Sequence, residues 1–272
     1  MYESHWGLNR RPFDDWDDAD TFYPSETHQT ASLKLRYGLD CRRGVMLLTG
    51  DSGMGKTLIL RRLAEQAPEN IGPLVRIGFP QLSADQLLGH VTDKLTGTPG
   101  DPSETARQCL GRLEAFLDKN VAAGRHATVV VDEAHQLTGG LPETLRMMLN
   151  LGQPGDRAES AWTLILVGQP TLTHLVERHR GLEERVAVKC VLHRLDAEQT
   201  SGYLQHRLQA AGGQIERVFT ADAVDAIHLR GGGIPRRINR LADLALMVGF
   251  AEDLTLLDAP QIDGVHQELV DA

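Results

Sequence analysis

The stretch Gly50-Asp51-Ser52-Gly53-Met54-Gly55-Lys56-Thr57 has the spacing G-x-x-x-x-G-K-T. An apolar run at 45–49 precedes it, and a helical pattern of leucines and isoleucine at 58–63 follows it. Strand, glycine-rich loop and helix in this order predict a phosphate-binding loop rather than an ordinary glycine-rich turn. The glycines let successive backbone N–H groups point at phosphate oxygens, and the helix adds the positive end of its dipole. We therefore expect all eight residues to contact a nucleotide.

Two side chains of this loop carry specific roles. Lys56 is expected to reach the β and γ phosphates of ATP as a positive point charge, which makes it a catalytic as well as a binding residue. Thr57 is expected to hold Mg²⁺ through its hydroxyl. ATP and Mg²⁺ are thus the predicted cofactors.

A second motif lies at residues 127–133, where a β-branched run ends in two acids. Such a run is typical of a strand buried on both faces of a parallel sheet. At this distance behind a phosphate loop it predicts a Walker B motif. Asp132 is then expected to bind Mg²⁺, and Glu133 to orient the water that attacks the γ phosphate.

A third strand, predicted at 162–167, is followed by Gly168-Gln169-Pro170. Ligands of open α/β sheets bind at the carboxyl ends of the strands. Gln169 is therefore a candidate sensor of the γ phosphate. A plain structural role in the turn is the alternative.

The remaining pattern divides the chain near residue 195. Before it, strands at 74–79 and 186–192 alternate with helices at 25–39, 83–95, 103–122, 141–151 and 171–184. After it, the predicted elements are all helices, at 197–211, 221–229, 235–250 and 259–270, with Asp196, Thr220 and Asp258 as caps. The prediction is an α/β ATPase domain with a parallel sheet (1–195) followed by a small helical lid domain (196–272).

The first 27 residues contain an unusual share of the aromatic side chains, among them Trp6, Phe13, Trp16, Phe22 and Tyr23. We assign this aromatic arm to the α/β domain. Two interpretations remain open: it covers the adenine side of the nucleotide pocket, or it caps the core.

Composition limits the function classes. The net charge of −9 disfavours a broad nucleic-acid or anionic-membrane surface, so proteins are the expected partners. The three cysteines are far apart and form no metal-binding or disulfide pattern. No signal peptide and no apolar run long enough to span a bilayer is evident, which favours a cytoplasmic location.

Together these motifs resemble an AAA+ ATPase, and nearly the whole chain is similar to the ExeA family, also called general secretion pathway protein A. The similarity rests on the segments 1–8 with 12–13, 37–39, 132–137, 145–146 with 150–151, and 167–170. A second sensor motif is matched by residues 233–239. The resemblance implies that Arg236 contacts the nucleotide from the lid domain, with Arg237 as the alternative residue for this role. It also implies that Arg185 is an arginine finger acting on a neighbouring subunit's ATP.

The resemblance further implies a homo-oligomer that supports assembly of secretion, pilus or exopolysaccharide export machinery. Without a membrane span of its own, the protein is expected to be recruited by a protein partner at the inner membrane. Three alternatives remain. The first is an ATP-dependent transposition regulator that binds DNA, and the second is a slow nucleotide-dependent protein-binding switch. The third is a nucleic-acid motor, because the sequence Asp-Glu-Ala-His at 132–135 is also the motif of a helicase family.

Overall fold

The computed structural model describes residues 1–14, 22–78, 82–152 and 160–271. Its strands are β1 (Val45–Thr49), β2 (Ile71–Ile77), β3 (His126–Val131), β4 (Trp162–Gly168) and β5 (Val186–Val191). Its α-helices are α1 (Glu26–Asp40), α2 (Lys56–Glu65), α3 (Ala84–Thr96), α4 (Ala106–Ala122), α5 (Leu141–Met148), α6 (Thr171–Arg178), α7 (Arg180–Glu183), α8 (Ala197–Ala210), α9 (Ala221–Gly231), α10 (Pro235–Ala251) and α11 (Ala259–Asp271). They fall into two compact units, one with the sheet and one of helices.

The sheet unit comprises residues 27–52 and 56–192. Its strands are parallel and lie in the order β2-β3-β4-β1-β5. Every residue of the central strands β1, β3 and β4 is buried, as continuous apolar runs with covered faces require. This architecture, together with the helical C-terminal unit, confirms the predicted fold class. Since all five strands run the same way, residues that follow β1, β3 and β4 emerge at one edge of the sheet.

Local differences from the predicted elements have physical reasons. The helix predicted at 171–184 is interrupted at His179, whose backbone (φ −109°, ψ 74°) leaves the helical region, so α6 and α7 are separate. β3 ends at Val131, and the two acids behind it belong to the following turn. β2 begins at Ile71 rather than at residue 74, and the predicted strand residue Phe79 lies outside the described residues.

The helical unit comprises residues 1–26, 53–55 and 193–272. Two of its helices begin with the predicted caps. Asp196 accepts from the Gln199 N–H at 2.7 Å in a capping box, and Thr220 accepts from the Ala223 N–H at 3.1 Å. Its core is formed by apolar residues of α8, α9, α10 and α11 together with residues of the aromatic arm.

The aromatic arm therefore belongs to the helical unit, and its predicted assignment to the α/β domain is corrected. Trp6 is buried, and its indole Nε1 donates to the Leu246 carbonyl of α10 at 2.9 Å. The Arg207 guanidinium of α8 donates to the Pro12 carbonyl at 2.7 Å. Large aromatic rings contribute most when they are buried, and α10 offers both an apolar surface and an acceptor for the indole. Trp16, named with the arm, lies outside the described residues.

Within the described parts of the chain, no helix has the length and apolar character needed to span a bilayer. The same residues contain no group of three or more histidine, cysteine or acidic side chains arranged to hold a metal. Cys41, Cys109 and Cys190 are unpaired thiols. Burial raises the pKa of the Cys190 thiol to about 11, so it is protonated and unreactive at neutral pH.

Candidate nucleotide site at the carboxyl edge of the sheet

The glycine-rich loop connects β1 to α2. Lys56 opens the helix and is nearly buried, with its ammonium donating to the carbonyl oxygens of Gly50 at 2.7 Å and Asp51 at 2.9 Å. An ammonium group has three donor hydrogens and needs partners when it is buried. The lysine is therefore fixed over the loop by contacts that phosphate oxygens could replace.

The loop backbone depends on its glycines. Gly53 and Gly55 have φ values of 84° and 85°, in the left-handed region that favours glycine. Met54 between them is fully buried and anchors the loop. Gly50 donates its backbone N–H to the Gly168 carbonyl at 3.2 Å, which ties the start of the loop to the end of β4.

The two predicted magnesium ligands lie close together. Asp132 follows β3 and is nearly buried, and its carboxylate forms an ion pair with Arg76 of β2. The same Arg76 nitrogen, Nη2, lies 3.4 Å from the Thr57 hydroxyl oxygen. A carboxylate and a hydroxyl are hard oxygen donors of the kind that Mg²⁺ prefers, so the residues present fit this ion.

Glu133 has an unusual backbone and a half-exposed side chain. Its φ of 52° and ψ of 31° place a non-glycine residue in the left-handed region, a strained conformation often found at functional sites. The strain turns the chain out of β3 directly behind Asp132. Glu133 Oε2 then lies 3.4 Å from Nδ1 of His135.

Gln169 follows β4 at the same edge, and its side chain is exposed. Its backbone N–H donates to His135 Nδ1 at 3.4 Å, so one imidazole touches the segments that carry Glu133 and Gln169. Gly168 leaves room for this approach, because a Cβ there would lie 3.1 Å from both the backbone nitrogen and Nδ1 of His135 and would crowd them. The residues after β1, β3 and β4 thus converge.

Arg185 lies elsewhere in the sheet unit. It precedes β5, and its guanidinium donates to the Asn150 side chain just behind α5. The structure records no hydrogen bond or ion pair between Arg185 and the glycine-rich loop of its own chain, within the residues it describes. The site at the carboxyl edge is assembled without it.

Arg236 opens α10 in the helical unit. Its backbone N–H lies 3.3 Å from the Gly53 carbonyl, and residues 53–55 are part of that same unit. A Cβ on Gly53 would lie 2.7 Å from the Cβ of Arg236, so glycine is needed there. Arg236 and Arg237 are both exposed, and neither side chain has a recorded partner among the described residues.

Sequence reasoning missed Arg76 and His135. Arg76 belongs to no motif, and only its charge within an otherwise apolar strand could have drawn attention to it. In the sequence His135 stands out only as one residue of the segment 132–137 that is similar to the ExeA family. A polar residue two or three positions behind a predicted catalytic acid would have been the signal.

The sequence profile of the AAA domain family matches residues 40–176, which are 137 of the 272 residues. The chain belongs to this family. General secretion pathway protein A of Aeromonas hydrophila is 32% identical over 278 residues, and the match covers 98% of the chain and 50% of that relative. The resemblance to the ExeA type of AAA+ ATPase is thereby confirmed, and the chain spans half the length of the relative.

Three solved structures illustrate the proteins that have a similar fold. They are the ORC2 protein of Aeropyrum pernix in ADPNP-ADP complexes (18% identity, TM-score 0.64, 96% of this chain and 72% of that chain), the Drosophila ORC bound to DNA (16%, 0.72, 98% and 66%) and the Thermotoga maritima RuvB Holliday junction branch migration motor (17%, 0.61, 94% and 73%). At these identities they show the shared fold alone.

Proposed function

We propose that the chain binds ATP with Mg²⁺ and hydrolyses it at the carboxyl edge of the sheet. The observation that carries this proposal is the convergence of the Thr57 hydroxyl and the Asp132 carboxylate beside the loop that holds Lys56. Membership of the AAA family supports nucleotide binding. The eight loop residues 50–57 are proposed as the phosphate cradle.

The chain's own groups supply most of the chemistry. Lys56 exchanges its contacts with the Gly50 and Asp51 carbonyls for phosphate oxygens and stabilises the negative charge that develops on them. Thr57 and Asp132 would hold Mg²⁺, which neutralises phosphate charge. Glu133 accepts a proton from the attacking water and orients it.

Two further residues are proposed to contact the nucleotide and act as sensors of its bound state. Gln169 has an exposed side chain at the end of β4, where it can donate from its amide to the γ phosphate. Arg236 is exposed, and its backbone N–H lies 3.3 Å from the Gly53 carbonyl, which places the residue beside the glycine-rich loop. We propose Arg236 rather than Arg237 as the lid sensor for that reason.

Arg185 is proposed to complete the site of a neighbouring subunit in a homo-oligomer. Its support is its bond to Asn150, which holds the guanidinium without any recorded contact to its own phosphate loop in the described residues. An arginine supplied by a neighbour stabilises transition-state charge without occupying the ground-state site of its own chain.

This proposal is tested by mixing two inactive proteins. A Lys56→Ala subunit keeps its arginine finger, and an Arg185→Ala subunit keeps its nucleotide site, so a mixed oligomer contains complete sites. The ATPase rate of the mixture should exceed the sum of the two separate rates, and the parent's specific activity should rise with protein concentration. A monomer in ATP by light scattering, with an additive mixture, would reject the finger.

For the biological role we propose assembly of an envelope machine such as a secretion, pilus or exopolysaccharide export system. The support is the similarity to a protein named for the general secretion pathway. The chain would act in the cytoplasm, recruited to the inner membrane by a protein partner. ATP turnover would then drive or license assembly of that partner.

DNA regulation is the rival role, favoured by the exposed arginines 236, 237 and 240 of α10. Against it, Arg230 is already paired with Asp263 at 2.8 Å, and the net charge is −9. Binding to duplex DNA at two salt concentrations, with and without ATP, distinguishes the two roles. Tight, ATP-dependent binding that weakens steeply with salt would favour the DNA regulator.

A further inference from the structure

Arg76 contacts both residues that are proposed to hold the metal. It lies in β2 and is paired with Val130 of β3 in the sheet register. Asp132 follows Val130 by two residues, directly after the end of β3. Its Nη2 atom pairs with Asp132 Oδ2 and lies 3.4 Å from Thr57 Oγ1. One positively charged nitrogen therefore bridges the carboxylate and the hydroxyl.

A guanidinium and a divalent cation cannot share these two oxygens. Mg²⁺ requires ligand oxygens at about 2.1 Å and in a nearly octahedral arrangement, which leaves no room for a guanidinium nitrogen between them. The two cations would also repel each other, and they would do so strongly beside a nearly buried carboxylate. Occupation by one excludes the other.

We propose that Arg76 is a displaceable cation that occupies the metal position between Thr57 and Asp132 and competes with Mg²⁺. The inference rests on the proposed function, because it concerns the same site. Arg76 thereby sets how much Mg²⁺ is needed before nucleotide binds in its metal-bound form. In the metal-free protein it neutralises Asp132, whose charge would otherwise repel the phosphates of an incoming nucleotide.

The contacts of Arg76 fit a replaceable partner better than a permanent one. Its side chain is 46% exposed, so it can rotate into water at small cost, whereas the Asp132 side chain is only 8% exposed and cannot. Its second partner is an uncharged hydroxyl at the long distance of 3.4 Å. A half-exposed ion pair of this kind contributes modestly, which allows a doubly charged ion to replace it.

The test compares the parent with Arg76→Gln, which keeps a polar side chain and removes the charge. The dissociation constant of a fluorescent ADP analogue is measured in Mg²⁺ and in EDTA. The ratio of the EDTA value to the Mg²⁺ value reports how strongly metal and nucleotide bind together. Without the competing guanidinium, this ratio should rise about five-fold, and less Mg²⁺ should be needed for half-maximal binding.

Arg230→Gln is the matched control, because it removes an arginine of similar exposure (40%) from an ion pair with Asp263. It should leave the ratio unchanged. Arg76→Lys keeps a positive charge on a different head group and should give a ratio between the parent and Arg76→Gln. If thermal unfolding shows that Arg76→Gln is too unstable to purify, Arg76→Lys is used for the comparison in its place.

Each outcome has a definite meaning. An unchanged ratio in Arg76→Gln overturns the inference. A ratio that falls, with weaker binding in Mg²⁺, overturns it in favour of an arginine that binds phosphate or positions Asp132. A parent that binds no ADP analogue, or binds it equally with and without Mg²⁺, overturns the proposed function itself and this inference with it.

Discussion

The two edges of the sheet use their polar groups in opposite ways. At the amino edge, where the strands begin, His126 Nε2 lies 2.8 Å from Thr163 Oγ1, and that hydroxyl donates to the Arg43 carbonyl at 2.6 Å. Both side chains are buried. At the carboxyl edge, Lys56, Asp132 and Glu133 are charged and are held by contacts that a ligand could replace.

The difference separates stability from binding within one sheet. Buried, uncharged groups that are hydrogen-bonded to one another have no free donor or acceptor for a ligand. Removing one of them leaves a buried polar atom without its partner, which destabilises the folded state. Charged groups kept at a strand end by backbone carbonyls or by a half-exposed arginine can exchange partners. We therefore expect substitutions at the amino edge to change stability and those at the carboxyl edge to change nucleotide binding or hydrolysis.

The largest expected effect comes from Lys56→Ala. Removing the ammonium that we propose to contact the phosphates should weaken ATP binding by about 100-fold or more, since charged hydrogen bonds to phosphate are among the strongest contacts of such a site. The free energy of unfolding should change by only about 1 kcal/mol. Isothermal titration with ATP and Mg²⁺, together with chemical denaturation, measures both quantities.

Lys34→Ala is the control for this substitution, because Lys34 is an exposed lysine of α1. It should alter neither quantity. Equal ATP affinity in Lys56→Ala and the parent would show that the glycine-rich loop is not the binding site.

At the amino edge, Thr163→Val should lower the free energy of unfolding by about 2 kcal/mol, because it leaves the Arg43 carbonyl and the imidazole without their hydroxyl partner. Thr128 offers a matched control. It is buried opposite Thr163 in the register of β3 and β4, and its hydroxyl has no recorded partner among the described residues.

Thr128→Val should therefore be neutral or stabilising, and ATP affinity should stay at the parent value in both variants. Denaturant unfolding measures the stability of each. Equal losses at the two threonines would mean that the hydroxyl network does not stabilise the sheet.

A smaller effect is expected from pH. Burial, with a lesser contribution from the charge of Arg42, lowers the pKa of His126 from 6.5 to about 4. Between these pH values the His126 imidazole binds a proton in the unfolded chain but not in the folded chain. The folded state is therefore stabilised above pH 6.5, and this stabilisation is lost as the pH falls toward 4. The loss should reach about 1 kcal/mol at pH 5.5.

His126→Gln keeps a side-chain amide donor for Thr163 and removes the titration, so its stability should depend less on pH over this window. Denaturation curves of parent and variant at pH 7.5, 6.5 and 5.5 make the comparison. Parallel pH profiles would contradict the assignment to His126.

The sequence was sufficient for the parts of the fold that local pattern controls. The loop at 50–57 and the apolar runs of β1, β3 and β4 are local features, and the fold class that they predicted is confirmed. The aromatic arm was misassigned because its partners, such as the Leu246 carbonyl, are far away in sequence. Periodicity alone does not reveal which surface a buried ring will cover.

The candidate site shows the same division. The placement of Asp132 next to Thr57 follows from two motifs, but the bridge through Arg76 depends on the register of β2 against β3, which no motif encodes. The helix at 171–184 was predicted as continuous because its apolar spacing continues through the break. The break falls at His179, which is neither glycine nor proline, so no local breaker residue marks that position.

Glu133→Gln tests the central claim most directly, namely that the carboxyl edge of the sheet hydrolyses ATP. The amide keeps the size of the side chain but cannot accept a proton from water. The dissociation constant for ATP and Mg²⁺ and the single-turnover rate of hydrolysis are measured in the parent, in Glu133→Gln and in the exposed control Glu177→Gln. We predict unchanged affinity with hydrolysis reduced by about 100-fold or more in Glu133→Gln alone. Hydrolysis at the parent rate in Glu133→Gln would contradict the account.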